Sequence, residues 1–210
     1  IDGERTRAKL VDTAQQLFAD KGIDNVTLLA VNKAAGQSNR NAAAYYFGNK
    51  RGLLEAVLRK HSAGINARRL ELLDALQGKA GLGLADLMGA IVVPLAEKLA
   101  EGASGVAYLR INGQLMESPE FASLRGELGI DLRNDTQLDA LFRRLIPRVT
   151  PHMRASRSVL VEVLMYHGLS AFASRQRAQA AGATAQARRR DAFVAELVRA
   201  LCAIVDAGPP

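Results

Sequence analysis

The stretch that decides the fold is TLLAVNKAAGQSNRNAAAYYF, residues 27–47, which predicts two short helices joined by a tight turn. Thr27 is a good N-cap residue, and Val26 before it can pack on Val31 as a hydrophobic staple. Gly36 supplies a left-handed residue that ends the first helix without a Cβ clash. Two helices around a glycine-containing turn form a helix-turn-helix, whose second helix fits a DNA major groove.

The second helix of this unit is predicted to carry the chemistry that DNA requires. Ser38 can cap it, so residues 38–44 are expected to form a short rod exposed to solvent. Amide side chains pair with adenine, guanidinium groups with guanine, and hydroxyl groups with phosphate oxygens. We therefore predict a DNA-binding surface made of Thr27, Gln37, Ser38, Asn39, Arg40, Asn41, Ala44, Tyr45, Tyr46 and Lys50. Such a polar run alone is also typical of a loop, and the ordered caps and glycine turn favour the helix-turn-helix.

Further residues extend the pattern along the first quarter of the chain. They are Ala14, Leu17, Phe18, Gly22, Thr27, Val31, Ala35, Gly36, Ser38, Tyr45, Phe47, Lys50, Leu53 and Leu54. Together they resemble the DNA-binding domain of the TetR-type (tetracycline-repressor-like) bacterial transcription regulators over residues 5–58. The chain departs from the common pattern at Asn32 and Gln37, where Ala and Val are usual, and has one extra residue between Ser38 and Phe47. The resemblance implies a homodimer joined through the last two helices and a C-terminal domain that binds an inducer.

Composition favours an all-helical protein. Leu, Ala, Val, Arg and Glu are common, there is no Trp, and alternating runs of β-branched residues are scarce. The net charge is +7, and residues 1–60 hold ten basic and six acidic side chains. More than half of the basic excess therefore lies in the shorter N-terminal part, as a phosphate-binding surface requires. Basic character alone would equally fit a membrane surface or simple solubility.

The periodicity of apolar residues predicts two domains and about nine helices. A helix-turn-helix DNA-binding domain is expected over residues 1–48 and a helical domain over 49–210, to which the family resemblance assigns ligand binding and dimerisation. A long helix over 50–76 connects them, and residues 77–83 form a linker. Further helices are predicted over 84–100, 105–117, from Pro119 with an interruption at Gly126 and Gly129 through Ile146, 151–177 and 188–205.

The last two helices carry more apolar surface than one chain needs to cover. An apolar face without a partner in its own chain suggests a four-helix bundle across a twofold axis. The predicted dimer interface comprises Val159, Val163, Phe193, Leu197 and Leu201. The alternative is that both faces are covered within one chain.

A ligand pocket is a weaker inference from the residues. Apolar and polar side chains that the middle helices could bring together are Met88, Tyr108, Asn112, Met116, Phe142, Tyr166 and His167. The alternative for each is ordinary core packing. Only the family resemblance implies a small hydrophobic effector, and the residues do not identify it.

Several classes of function lack support in the sequence. His61, His152, His167 and Cys202 show no metal-ligand spacing, and no glycine-rich phosphate loop or nucleophilic triad is present. We therefore expect neither an enzyme nor a cofactor or metal. The single Cys and the lack of a leader or a long apolar run predict a cytoplasmic protein without a membrane partner.

Two functions remain after these exclusions. The leading hypothesis is a ligand-responsive repressor that acts as a homodimer on a palindromic double-stranded DNA operator. The alternative is a helical carrier or sensor of small molecules with a degenerate DNA head.

Overall fold

The all-helical class predicted from composition is confirmed in a computed structural model of the chain. The structure describes residues 2–130, 136–177 and 182–208, and these contain ten α-helices, two 3-10 helices and no β-strand. The α-helices are α1 (Asp2–Lys21), α2 (Leu28–Ala34), α3 (Ala42–Phe47), α4 (Lys50–Ala75), α5 (Leu84–Ala96), α6 (Ala103–Glu117), α7 (Ala122–Glu127), α8 (Thr136–Leu145), α9 (Pro151–Arg177) and α10 (Ala183–Asp206).

Helices α1, α2 and α3 form the N-terminal head around a small apolar core. The Thr27 hydroxyl accepts a hydrogen bond from the Ala30 backbone N–H at 3.1 Å, as expected of an N-cap. Val26 and Val31 are both buried, which agrees with a hydrophobic staple. Gly36 has φ of +64°, so the left-handed turn predicted there is confirmed.

The second helix of the head is shorter than the sequence suggested. We predicted a helix capped by Ser38, whereas residues 38–41 form a turn and α3 begins only at Ala42. The physical reason is a local hydrogen bond: the Asn39 carboxamide oxygen accepts from the Asn41 backbone N–H at 2.9 Å. Asn side chains that bond to a backbone two residues on stabilise turns in place of helix.

Helix α4 connects the head to the rest of the chain, close to the predicted bounds of 50–76. The Asn49 side chain caps it by accepting from the Gly52 N–H at 3.0 Å. One face buries Leu53, Leu54, Val57, Leu58, Ile65 and Leu73. The predicted linker at 77–83 lies outside any helix.

The middle helices differ from prediction at their ends. Helix α5 stops at Ala96, two residues after Pro94, and a 3-10 helix follows over Glu97–Glu101 where a bent α-helix was expected. After α6 a 3-10 helix over Pro119–Phe121 leads into α7, and Gly129 with φ of +65° follows the end of α7. Helix α8 ends one residue before the predicted Ile146.

Helices α9 and α10 close the chain and pack on each other and, through α10, on α5. The bounds of α9 match the prediction of 151–177, while α10 begins at residue 183, five residues earlier than expected. Helix α9 also packs on α6, and α6 packs on α1. The head thus contacts α6, and α6 in turn packs on α9. The division into two domains at residue 48 stays a prediction.

No helix among the described residues is both long enough and apolar enough to cross a membrane.

Candidate nucleic-acid interface

The turn before α3 is supported from below by a buried side chain of α2. Asn32 is 1% exposed, and its amide oxygen accepts from the Ala43 backbone N–H at 2.8 Å. Its amide nitrogen donates to the Arg40 backbone carbonyl at 2.5 Å. One side chain therefore fixes both the turn and the start of α3, since it satisfies one donor and one acceptor of their backbone.

This role of Asn32 was missed at the level of the sequence. Asn32 was noted only as a residue where Ala is usual, and an Asn in a predicted short helix gives no direct signal of a tertiary contact. The extra residue between Ser38 and Phe47 was the available signal, because a longer turn leaves more backbone groups to be satisfied.

The predicted DNA-contacting residues are distributed over an exposed surface of the head. Ser38, Asn39, Arg40 and Asn41 are exposed in the turn, and Gln37 is half-buried beside them. On α3, Ala42 and Ala43 are buried while Ala44 is exposed and Tyr45 is 81% exposed. The small side chains of Ala42 and Ala43 pack inward and let α3 lie close to α2. The outer side of α3, with Ala44 and Tyr45, is therefore accessible to a partner.

Two further predicted contacts lie at the edges of this surface. Thr27 is exposed, and its hydroxyl can still donate a hydrogen bond, because the capping bond uses it as an acceptor. Tyr46 is half-buried and its ring meets that of Tyr45 edge to face at 5.1 Å between centroids. Leu29, which we did not predict as a site residue, is 58% exposed on α2, beside Thr27.

Lys50 has a contact that the sequence did not indicate. Its ammonium donates to the backbone carbonyls of Ile23 at 3.1 Å and Asp24 at 3.0 Å. Because an ammonium has three N–H donors, one is left for a phosphate oxygen. The phosphate contact stays a prediction, and the structure adds a positioning role at the loop between α1 and α2.

Acidic residues of the head are paired with the helices behind it. Asp12 forms an ion pair with Lys60 of α4 at 2.7 Å, and Asp20 pairs with Arg110 of α6 at 3.3 Å. Gln114 of α6 adds two neutral bonds, accepting from the Ile23 N–H at 2.9 Å and donating to the Phe18 carbonyl at 3.1 Å. These contacts fix the orientation of the head on α4 and α6.

Residues 10–57 match the family described as bacterial regulatory proteins of the tetR family. The N-terminal domain of the chain belongs to the TetR family. The match covers α2, the turn and α3, and with them the exposed polar surface described above. This TetR-type domain is accordingly a DNA-binding domain of the kind found in bacterial regulatory proteins.

One solved structure with a TM-score of 0.50 agrees with this chain on the fold. A protein from Rhodococcus sp. assigned to the TetR-family transcriptional regulators is 16% identical, with a TM-score of 0.50 over 96% of this chain and 99% of its own. GusR of Salmonella enterica is 17% identical, with a TM-score of 0.47 over 97% of this chain and 96% of its own. No curated protein sequence gives a significant match.

Five of the seven residues predicted to line a ligand pocket lie in the core or at its margin. Met88, Tyr108, Asn112 and Tyr166 are at most 1% exposed and lie in the core, while Met116 packs at its margin. His167 has a side chain that is 52% exposed, near Glu117 on α6. Phe142 alone of the seven lines a cleft of about 370 Å³ between α5, α8, α9 and the end of α10.

The residues predicted for a dimer interface divide into two groups. Leu197 and Leu201 are 4% and 0% exposed within the single chain, so their side chains are already covered by its own helices. Phe193 is half-buried and stacks on Phe172 at 4.5 Å between ring centroids. Val159 and Val163 are 50% and 41% exposed on α9.

Proposed function

We propose that this chain is a ligand-responsive repressor that binds a palindromic operator as a homodimer. The observation that carries the proposal is the exposed polar turn over Ser38–Asn41, held in place by the buried Asn32 side chain. Exposed polar groups on a backbone that is fixed by a buried side chain suit a rigid docking surface. Gln37, Asn39, Arg40 and Asn41 would contact base edges.

The phosphate contacts would come from the residues around that turn. Hydroxyl and ammonium groups at the edges of a recognition helix position a protein on DNA without reading its sequence. These residues are Thr27, Ser38, Tyr45, Tyr46 and Lys50. Ala44, exposed on α3, would offer a methyl group to a thymine methyl in the major groove.

Selection from a pool of genomic DNA fragments tests the proposal directly. Fragments retained by the purified chain at moderate salt are sequenced and searched for a shared motif. A palindromic motif with half-sites about 34 Å apart, centre to centre, is expected from two copies related by a twofold axis. Recovery of no palindrome would contradict the repressor proposal and favour a carrier or sensor of small molecules.

Exposed apolar residues on α9 support the homodimer. Val159, Leu160 and Val163 are 50%, 56% and 41% exposed on one helix. Apolar residues clustered on an outer helix face favour a partner. Covering each side chain removes its apolar surface from water, which lowers the free energy. Leu160→Asp is expected to give single chains in light scattering, while the wild type has the mass of two. Leu70→Asp, at a leucine 51% exposed on α4, is the matched control and should leave the dimer intact.

The response to a ligand would be transmitted through α6. A small molecule weakens DNA binding only by its differential affinity for two arrangements of the heads. Helix α6 packs on α9 and holds α1 through Gln114 and Arg110, and Arg110 also donates to Ser174 of α9 at 3.0 Å. A shift of α9 would therefore reach the head through contacts that already exist.

A further inference from the structure

The core of the C-terminal helices contains two guanidinium groups and one carboxylate. Arg69 of α4, Arg125 of α7 and Glu162 of α9 are each 4% exposed. Arg125 Nη1 donates to Glu162 Oε2 at 2.6 Å. Arg69 Nη1 donates to the neutral amide oxygen of Asn66 at 3.0 Å, and no carboxylate among the described residues pairs with Arg69. This buried cluster therefore carries one positive charge in excess.

Several N–H donors of the cluster have no acceptor. Within the described part of the chain, Arg69 Nε, Arg125 Nε and Arg125 Nη2 are buried without a hydrogen-bond partner, and so is the acceptor Glu162 Oε1. A buried charged donor without an acceptor is strongly unfavourable, because it has lost water and gained nothing in return. Three such atoms on two guanidinium groups mark a place where an anion would be held.

The two tyrosines beside the cluster do not supply the missing negative charge. Burial raises the pKa of the Tyr108 and Tyr166 hydroxyls above its ordinary value, although both guanidinium groups act to lower it. Both phenols are therefore neutral at pH 7. The Arg125 guanidinium lies over the Tyr166 ring, 5.3 Å from the ring centroid. This cation–π contact covers one face of the guanidinium group and does not cancel its positive charge.

Glu162 connects this cluster to the cleft of about 370 Å³. The lining of the cleft combines apolar side chains, among them Ile91, Leu138, Phe142 and Val161, with the charged side chains of Asp139, Arg143, Arg154 and Arg157. Arg69 and Arg125 are not among the residues that line it. Glu162 belongs to the same lining and is also the partner of Arg125. An apolar cleft that adjoins a few charged groups is the usual form of a small-molecule site.

We propose that Arg69 and Arg125 bind the carboxylate of a small organic acid whose apolar body occupies the cleft lined by Phe142 and Val161. In the absence of that acid, the Glu162 carboxylate occupies its position on Arg125. A guanidinium group binds a carboxylate by two parallel hydrogen bonds, so the unpartnered Nε and Nη atoms suit this class of ligand. This proposal rests on the proposed function, because it names the chemical class of the effector to which the repressor would respond.

A binding experiment without DNA tests the proposal. The purified chain is mixed at millimolar concentration with 3-phenylpropanoate or hexanoate, and with the alcohol and the amine of the same body. Calorimetry and thermal unfolding are recorded for each. The acids are expected to raise the unfolding temperature by at least about 2 °C, and the alcohols and amines are not. Equal stabilisation by the amines, or no effect of either acid, would overturn the proposal.

Variants locate the carboxylate at the buried cluster. Arg69→Met removes the excess charge and leaves the Arg125–Glu162 pair intact, so the variant should fold and bind the acid at least about tenfold more weakly. Arg143→Met is the matched control, because Arg143 lines the same cleft with a side chain that is 63% exposed and pairs with Asp139. Loss of binding in Arg143→Met with retention in Arg69→Met would place the carboxylate at the surface and overturn the assignment.

Glu162→Gln provides an independent check. The substitution removes the carboxylate that competes for Arg125, so acid binding should tighten by about tenfold. Weaker binding by this variant would contradict displacement of Glu162.

The two proposals fail separately in these experiments. Recovery of a palindromic operator, together with no effect of the acids, would support the repressor proposal and contradict the acid site. Acid binding that depends on Arg69, together with no recovered operator, would support the acid site and contradict the repressor proposal.

Discussion

The amide of Asn32 donates to the Arg40 carbonyl and its oxygen accepts from the Ala43 N–H, so one buried side chain of α2 holds the turn that precedes α3. The residue that presents the polar surface is thus not itself part of that surface. Its removal would change the shape of the DNA-binding unit without changing a single exposed group.

Asn32→Ala is expected to lower the free energy of unfolding by about 2 kcal/mol, because a backbone carbonyl and an N–H lose their partner. DNA affinity should fall more for the preferred sequence than for unrelated DNA, since a disordered turn no longer holds Arg40 and Asn41 against base edges. Urea unfolding and binding to specific and unrelated DNA measure the two effects. Asn25→Ala is the control, since Asn25 is exposed and should cost little. Unchanged stability in Asn32→Ala would show that the turn does not depend on it.

Gly52→Ala is expected to destabilise the head by at least about 2 kcal/mol. A Cβ at residue 52 would lie 2.2 Å from the Phe47 carbonyl oxygen, so the junction of α3 and α4 must shift. Gly64→Ala in the same helix meets nothing within 4 Å and should stabilise the chain by up to about 1 kcal/mol. Chemical unfolding of the two variants measures this contrast, and a similar change in both would contradict it.

Arg40→Ala and Lys50→Ala are expected to affect DNA binding differently. Arg40 is exposed in the turn, so its removal should cost about 1–3 kcal/mol on the preferred sequence and relax specificity. Lys50→Ala should weaken binding to every sequence and reduce the salt slope by about one. It should also lower stability by about 1 kcal/mol, because two backbone carbonyls lose their donor. Binding isotherms at several salt concentrations distinguish the two, and unchanged binding in both would refute the residue assignment.

His61 is expected to make the chain less stable in acid. Burial first, and then the Lys98 ammonium, lower the pKa of His61 from 6.5 to about 4, although Glu101 at 3.3 Å opposes the shift. Between those pH values the unfolded chain binds a proton that the folded chain does not. Stability should therefore decrease as pH falls from 6.5 to 4, by up to about 1.4 kcal/mol per pH unit.

His61→Gln should remove this part of the pH dependence, which is measured by urea unfolding at several pH values. His152→Gln is the control, because His152 is exposed at the start of α9. An identical pH profile in wild type and His61→Gln would contradict the prediction, because it would mean that the His61 imidazole has the same pKa in the folded and unfolded chains.

The amino-acid sequence by itself determined the helical class, the position of the head and most helix bounds. The signals were local: Thr27 and Asn49 as caps, Gly36 as a left-handed residue, and apolar periodicity along α4 and α9. Such features depend on neighbours within a few residues, so they can be recognised without knowing the rest of the fold.

The tertiary structure decided where the long-range contacts fall. Residues 38–41 form a turn rather than a helix because Asn32 and Asn39 satisfy their backbone, and Leu197 is buried by helices of its own chain rather than left for a partner. The placement of Arg69, Arg125 and Glu162, from three helices, around Tyr166 was equally hidden, since no periodicity marks residues that become neighbours only in the folded core. Local propensity fixes the elements, whereas burial and the pairing of charges between distant elements fix the sites.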